Sequence, residues 1–473
     1  MRAHQHVVTL GLAMCVGAML ACGDDADDDD DDDDDDDIVD ATVIDAALDA
    51  PTADSAPPDA ALAGPVTITV LAEQGPVQGI DIVFTDPDGA VVSQAVTDAL
   101  GQASEDLFAG SGVTIAVMGG GSYITITWAG VEPGDDLVWR FDPPTPTEVG
   151  ALSASLPEAH AEATHYEVEL GCHAANTDDP NNPVTATITS DCLGSDENID
   201  LIALALDDSN TAVGYSASAG VPAVVDGTTS VAFDVWQSAL DPFTITLANA
   251  PPGIGGAGFE PHFRIDGLDF RAAGDGGTGF VDGTGTIEGG YFQGIAIDQL
   301  QYSVFIGLGT EEAPEGIAVL LVGHPDAPAS ATHDLGQLLL PGISAAAMAG
   351  DDGRLSLSWT ATGSFAAADG AMVMSNWAEG SSPHLAFLML PPDATSPYLL
   401  PALPDELAVF RPSGTSTFET PMVVFAEADF AADYTAVRQD VGFNILGDRA
   451  FDTLPLTGGV MRATLGGQLP GGP

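Results

Sequence analysis

Eleven consecutive aspartates, Asp27 to Asp37, cannot be buried or neutralised by neighbours, so whatever this chain folds into must begin after them. The residues that follow keep the same character. Ile38-Val39-Asp40-Ala41, Asp45-Ala46-Ala47, Asp49-Ala50-Pro51 and Asp59-Ala60-Ala61 make a low-complexity Asp/Ala/Pro tract. Residues 24–63 hold 18 aspartates and no basic residue, the composition of a disordered acidic linker. Its reach lies between about 35 Å as a flexible coil and about 140 Å at full stretch. It reads as a solvated spacer. Calcium binding by the run is the weaker reading, because unshaped carboxylates hold that ion loosely compared with a preorganised loop.

Ahead of the linker, Met1 to His6 is polar and carries Arg2, and Val7 to Ala21 is almost wholly apolar up to Cys22. Such a run suits a signal-peptide core and is short of the ~20 residues that span a bilayer. Met19-Leu20-Ala21-Cys22 resembles the lipobox of bacterial exported lipoproteins, matching at Ala21 and Cys22 and departing at the two preceding places. The resemblance implies cleavage before Cys22, which then carries the lipid, so that residues 1–21 are the signal peptide and 22–63 the anchor cysteine and linker. The alternative is an ordinary secretory signal cut nearby. Two or three acyl chains hold a membrane far more firmly than one. Gly23, where an aspartate would resemble the inner-membrane retention signal, favours the outer membrane or cell surface.

Export leaves Cys172 and Cys192 as the remaining pair once Cys15 is removed and Cys22 is lipidated, and an oxidising compartment makes a disulfide the economical expectation. A metal site there has only His173 nearby and lacks a C-x-x-C partner.

The formal charge is −62, and in residues 64–473 53 acids still face 8 arginines, with no lysine anywhere in the chain. Such a surface lacks the basic footprint of nucleic-acid binders and suits cations or basic partners.

From residue 65 the pattern turns to period-two alternation between turn signals, which predicts an all-β chain of tandem β-sandwich domains, Ig-like or prealbumin-like. Val66-Thr67-Ile68-Thr69-Val70, Ile80 to Phe84, Val113 to Val117 and Tyr123 to Trp128 read as strands rich in β-branched residues. Val77-Gln78-Gly79 running into Ile82, the Asp88-Gly89 hairpin and the Thr97-Asp98…Gly101 turn resemble the carboxypeptidase-regulatory-like, or prealbumin-like, β-sandwich over about residues 64–120. In that family such modules are non-catalytic, so the resemblance carries over no active site.

The expected division is 64–150 for this sandwich, 151–252 for a disulfide-containing one and 253–473 for a C-terminal β-rich domain. If the two cysteines end adjacent strands, their bridge staples a sheet edge. Trp236 is expected in the core. Residues 391–412, punctuated by Pro391, Pro392, Pro397, Pro401, Pro404 and Pro412, should form an extended connection.

Chemical motifs are scarce. His160 and His165 flank Ala-Glu-Ala-Thr, which fails the His-Glu-x-x-His zinc spacing. Gly214-Tyr215-Ser216-Ala217-Ser218 lacks the final glycine of a nucleophile elbow. Asp266-Gly267-Leu268-Asp269, Asp275-Gly276 and Asp282-Gly283 read as turns, with a structural calcium ion the minority alternative and no other cofactor expected. The Gly276 to Gly285 cluster opens no helix and is no phosphate loop. Two function classes remain. The favoured one is a non-enzymatic surface lipoprotein with a binding, adhesion or structural role toward a protein or polysaccharide. The other is an extracellular hydrolase or carbohydrate-binding protein with its site in 253–473, where Asp352, Glu379 and Glu427 are the available acids.

Overall fold

A computed structural model of the chain describes residues 63–467, apart from 142–144, 210, 239, 272–275, 294, 311–312, 352 and 439–453. The signal segment, Cys22 and the linker up to Leu62 lie outside the described residues, as do Asp275 and Asp352. No described helix is long and apolar enough to cross a membrane.

The chain is all-β, a tandem array of β-sandwiches. First come β1 (Gly64–Ala72), β2 (Gly75–Pro76), β3 (Asp81–Thr85), β4 (Val91–Val96), β5 (Gln102–Leu107), β6 (Ser111–Gly119), β7 (Ser122–Val131) and β8 (Asp136–Arg140). β1, β2, β5 and β8 form one sheet over the layer β7-β6-β3-β4. Val66, Ile68 and Val70 alternate inward along β1 and meet Phe84, Ile115 and Trp128 in a common core. The turns carry the residues that the motifs supply. Asp86 Oδ1 accepts from the backbone of Asp88 and Ala90, and Asp98 Oδ1 does the same for Leu100 and Gln102. The Thr97 hydroxyl donates to Val77 O at 2.7 Å and accepts from Ile80 N at 3.0 Å, tying the Val-x-Gly start to the Thr-Asp turn. Gly101 sits at φ +72°, and a Cβ there would lie 2.5 Å from Val70 O, so only glycine fits.

Next are β9 (Glu148–Ser155), β10 (His165–Glu169), β11 (Ala174–Thr177), β12 (Val184–Thr189), β13 (Asn198–Leu206), β14 (Ala212–Pro222) and β15 (Thr228–Ala232), with β12-β9-β15 facing β11-β10-β13-β14. β13 is buried on both faces: Ile199, Leu201 and Ala203 enter this core, while Ile202, Leu204 and Leu206 enter another shared with Phe263, Phe270 and Phe292 further along the chain. That explains its unbroken apolar run.

The third group is β16 (Leu240–Ala248), β17 (Gly256–Ile265), β18 (Leu268–Arg271), β19 (Gly276–Gly279), β20 (Gly285–Phe292), β21 (Gln299–Gly309), β22 (Pro314–His324) and β23 (Ser330–Asp334), then the single turn α1 (Leu335–Leu338). β16 falls within 151–252 by sequence, yet it pairs with β20 and β23 of this group. The fourth is β24 (Ile343–Asp351), β25 (Arg354–Ala361), β26 (Gly370–Glu379), β27 (Ser382–Leu390), β28 (Tyr398–Leu399), β29 (Thr417–Phe418), β30 (Met422–Ala428), the short α2 (Tyr434–Ala436) and β31 (Gly459–Gly466). Of the proline-rich stretch, only the two residues of β28 join a sheet, and Asp405–Phe410 forms a 3-10 segment.

One sheet unites three groups. Its order is β18-β17-β21-β22-β31-β30-β26-β27-β7-β6-β3-β4, with β19 and β29 attached beside it, 14 strands in all. The fourth group therefore lies between the third and the first, joined to one by the antiparallel pair β22–β31 and to the other by the parallel pair β27–β7. At the second seam Tyr123, His384 and Trp377 are direct cross-strand neighbours and stack, with ring centroids 4.8 and 4.9 Å apart.

Candidate functional site

The structure joins Cys172 to Cys192, with Cα atoms 4.8 Å apart. Cys172 lies between β10 and β11, and Cys192 lies in a 3-10 turn after β12, so the bridge ties the two facing sheets of the second sandwich together. The sequence left open whether the cysteines end adjacent strands; topology places them on opposite layers, a distinction that strand-by-strand alternation does not carry. His173 Nδ1 lies 3.1 Å from Cys172 Sγ. Cys172, His173 and Cys192 are the one gathered His/Cys/Asp/Glu trio among the described residues, with ligand atoms within 4.8 Å. Both sulfurs are consumed by the disulfide, which leaves no thiolate for a metal. Closing a loop of sequence separation 20 stabilises by about 3 kcal/mol in the chain-entropy model. Replacing both cysteines by alanine is expected to lower the unfolding free energy by about 2–4 kcal/mol in denaturant titrations, and non-reducing peptide mapping should recover the linked pair.

The remaining sequence candidates have structural roles. His160 N donates to Tyr166 Oη at 3.0 Å, and His165 sits beside Thr164 at the start of β10. Ser216 is buried inside β14. Trp236 stacks on Tyr166 at 5.5 Å and donates from Nε1 to Glu158 O at 2.8 Å, packing against the second core. Asp266 and Asp282 are turn residues at φ +48° and +52°. Asp200, Asp196, Asp266 and Asp298 lie near one another, and burial together with these neighbours raises the Asp200 pKa. Gly276 to Gly279 form strand β19.

The two described acids of the hydrolase reading are both committed. Glu379 accepts from Ser413 N at 2.8 Å, from Ser413 Oγ at 2.7 Å and from Ser416 Oγ, pinning the loop before β29. These donors, Ser416 foremost, hold its carboxyl below the usual range. Glu427 accepts from Arg462 Nε at 2.6 Å directly across β30–β31, and Arg462 Nη1 continues to Gln337 O at 2.8 Å, linking the fourth group to α1.

Three arrangements escape sequence reasoning. Arg438, following α2, reaches Asp135 in the β7–β8 turn; both side chains are buried. It also donates to Gly130 O and lies 5.0 Å over the Tyr434 ring, while Tyr434 Oη donates to Ala129 O at 2.8 Å. The second is a shallow recess where the fourth group meets β6 and β7, lined among others by Thr114, Thr125, Thr127, Arg354 and Arg411. The third brings Tyr302, His324 and His333 together inside the third sandwich. No spacing announces any of them. The one available signal was scarcity: in a chain with no lysine, each arginine is a rare cation.

No family model matches this sequence, and no curated protein matches it. Among solved structures, the Bacillus anthracis TIE protein matches over 58% of this chain and 50% of its own, at 11% identity and a TM-score of 0.14. A streptococcal ancillary pilin matches over 57% of this chain and 98% of its own, at 9% identity and a TM-score of 0.16. A DUF3823 family protein from Bacteroides ovatus matches over 33% and 90%, at 10% identity and a TM-score of 0.10. This chain thus spans about half the length of the Bacillus anthracis protein. Scores at this level mark no shared overall arrangement.

Proposed function

We propose that this chain is a lipid-anchored envelope protein whose sandwiches serve as a non-enzymatic scaffold, displayed at the cell surface on the acidic linker to bind a protein or polysaccharide or to take a structural part in the envelope. The observation that carries the reading is the single sheet running through three groups, with Glu379 and Glu427 consumed in holding loops and strands rather than facing each other across a cleft. Rigid seams and filled cores suit a body that transmits or resists load and presents a surface. Cys22 is the lipid attachment point in this reading, and outer-membrane placement follows from Gly23 after it.

Cys22→Ser is expected to move the protein from the membrane fraction to the soluble one or to stall signal cleavage, as read by fractionation and intact mass. A membrane-bound, normally cleaved Cys22→Ser protein would end the anchor assignment. The non-enzymatic part is tested by incubating the mature protein with purified envelope polysaccharides and peptidoglycan: retention without release of soluble products is expected, and product release would overturn it.

A further inference from the structure

The third sandwich contains a polar cluster at the edge of its apolar core. Across β21–β22, Leu300 pairs with His324 and Tyr302 with Val322, so the two-residue alternation places Tyr302 and His324 on one face of the long sheet. His333, opposite Leu247 in the β16–β23 pair, comes from the facing sheet. All three converge between the layers. His324 Nε2 lies 3.0 Å from Tyr302 Oη, and His333 Nε2 is also within hydrogen-bonding reach of the same oxygen. The ring centroids are 5.6, 5.7 and 6.2 Å apart. Tyr302 is fully buried and His333 nearly so, while His324 is half-buried and opens the cluster to one side.

A phenol carries one proton, so it can donate to only one of two imidazoles and the other must donate back. That chain brings two imidazole nitrogens, one from each sheet, onto a single phenol oxygen. Among the described residues neither imidazole pairs with a carboxylate; each turns its Nε2 to the phenol oxygen. Neutral imidazole is the form that ligates metal. Imidazole suits zinc and copper, and three protein ligands are the ordinary complement of an open zinc site. Donors around a tetrahedral ion with metal–nitrogen distances near 2.0–2.1 Å stand about 3.3 Å apart, close to the 3.0 Å between His324 Nε2 and Tyr302 Oη.

We propose that Tyr302, His324 and His333 bind one divalent ion of the zinc and copper class through two imidazole Nε2 atoms and the phenolate oxygen, linking the two sheets of the third sandwich. On binding, the phenol proton leaves to solvent and the site keeps one net positive charge. The second sandwich is tied layer to layer by Cys172–Cys192, and this ion ties the third in the corresponding way. The inference does not depend on the scaffold reading above.

The test uses the full mature chain in excess magnesium, which occupies the hard carboxylates of the linker but not imidazole. Zinc is expected to bind with one tight equivalent and raise the melting temperature, and copper(II) to give a visible phenolate-to-copper absorption band. Tyr302→Phe should abolish the band, and Tyr302→Phe and His324→Gln should each weaken zinc binding at least tenfold, with far-UV circular dichroism unchanged. His324→Gln, at the half-buried position, decides the matter if Tyr302→Phe does not fold. Zinc affinity equal to wild type in His324→Gln, or a copper complex without the phenolate band, would overturn the site and leave a hydrogen-bonded core cluster.

Discussion

Asp135→Ala is expected to destabilise the folded chain by about 3–5 kcal/mol, because it strands a buried guanidinium rather than merely deleting a contact. Arg438 is fully buried beneath the seam between the first and fourth groups, and Asp135 is 6% exposed. The carboxylate also accepts from Glu132 N at 2.7 Å, shaping the turn that presents it. Water cannot replace the lost partner at such a depth. Urea unfolding should show the loss as a lower midpoint. Replacing the pair together, as Asp135→Leu with Arg438→Met, should recover much of it, since an apolar pair of similar volume removes both charges at once. A single Asp135→Ala change of under about 1 kcal/mol would place this pair with exposed ion pairs and contradict its burial.

The second large effect lies at the centre of the long sheet. Phe425 on β30 is 1% exposed, stacks face to face on Phe365 at 3.8 Å and meets Trp359 at 5.8 Å. Its neighbours β26 and β31 are hydrogen-bonded on either side, so the backbone cannot move in to fill a void. Phe425→Ala is expected to cost about 3–5 kcal/mol in the same assay, the range for a large aromatic truncated in a rigid core. Phe425→Leu, which keeps most of the volume, should cost far less. Because β31 connects the fourth group to the third, the melting of both should shift together in calorimetry; independent transitions with only one displaced would show that the sheet does not couple them.

Much of the local structure was legible because its causes are local. Alternation of apolar and polar residues marks Val66 to Val70 and Leu355 to Trp359 as strands with one inward face, and the structure buries those alternating side chains. Asp98 and Gly101 specify their turn through an Asx contact and a positive φ, both short-range. The Cys172–Cys192 pairing was expected because, if the chain is exported as a lipoprotein, these are the two cysteines left, and the structure joins them. The candidate acids were less legible. Glu379 and Glu427 look equally free in the sequence, and each is occupied by partners 34 to 37 residues away.

By itself, then, the sequence determined an all-β body and the turns that punctuate it. Only the tertiary structure decided which strands meet. β27 and β7 pair in parallel although more than 250 residues lie between Tyr123 and His384, and Arg438 finds Asp135 across a separation of 303. Nothing in either segment records the other. A strand's own residues set which face is apolar, whereas its neighbour is chosen by which edges remain unpaired once the rest of the chain has condensed. In this protein that competition places the last strands of the chain between the third sandwich and the first.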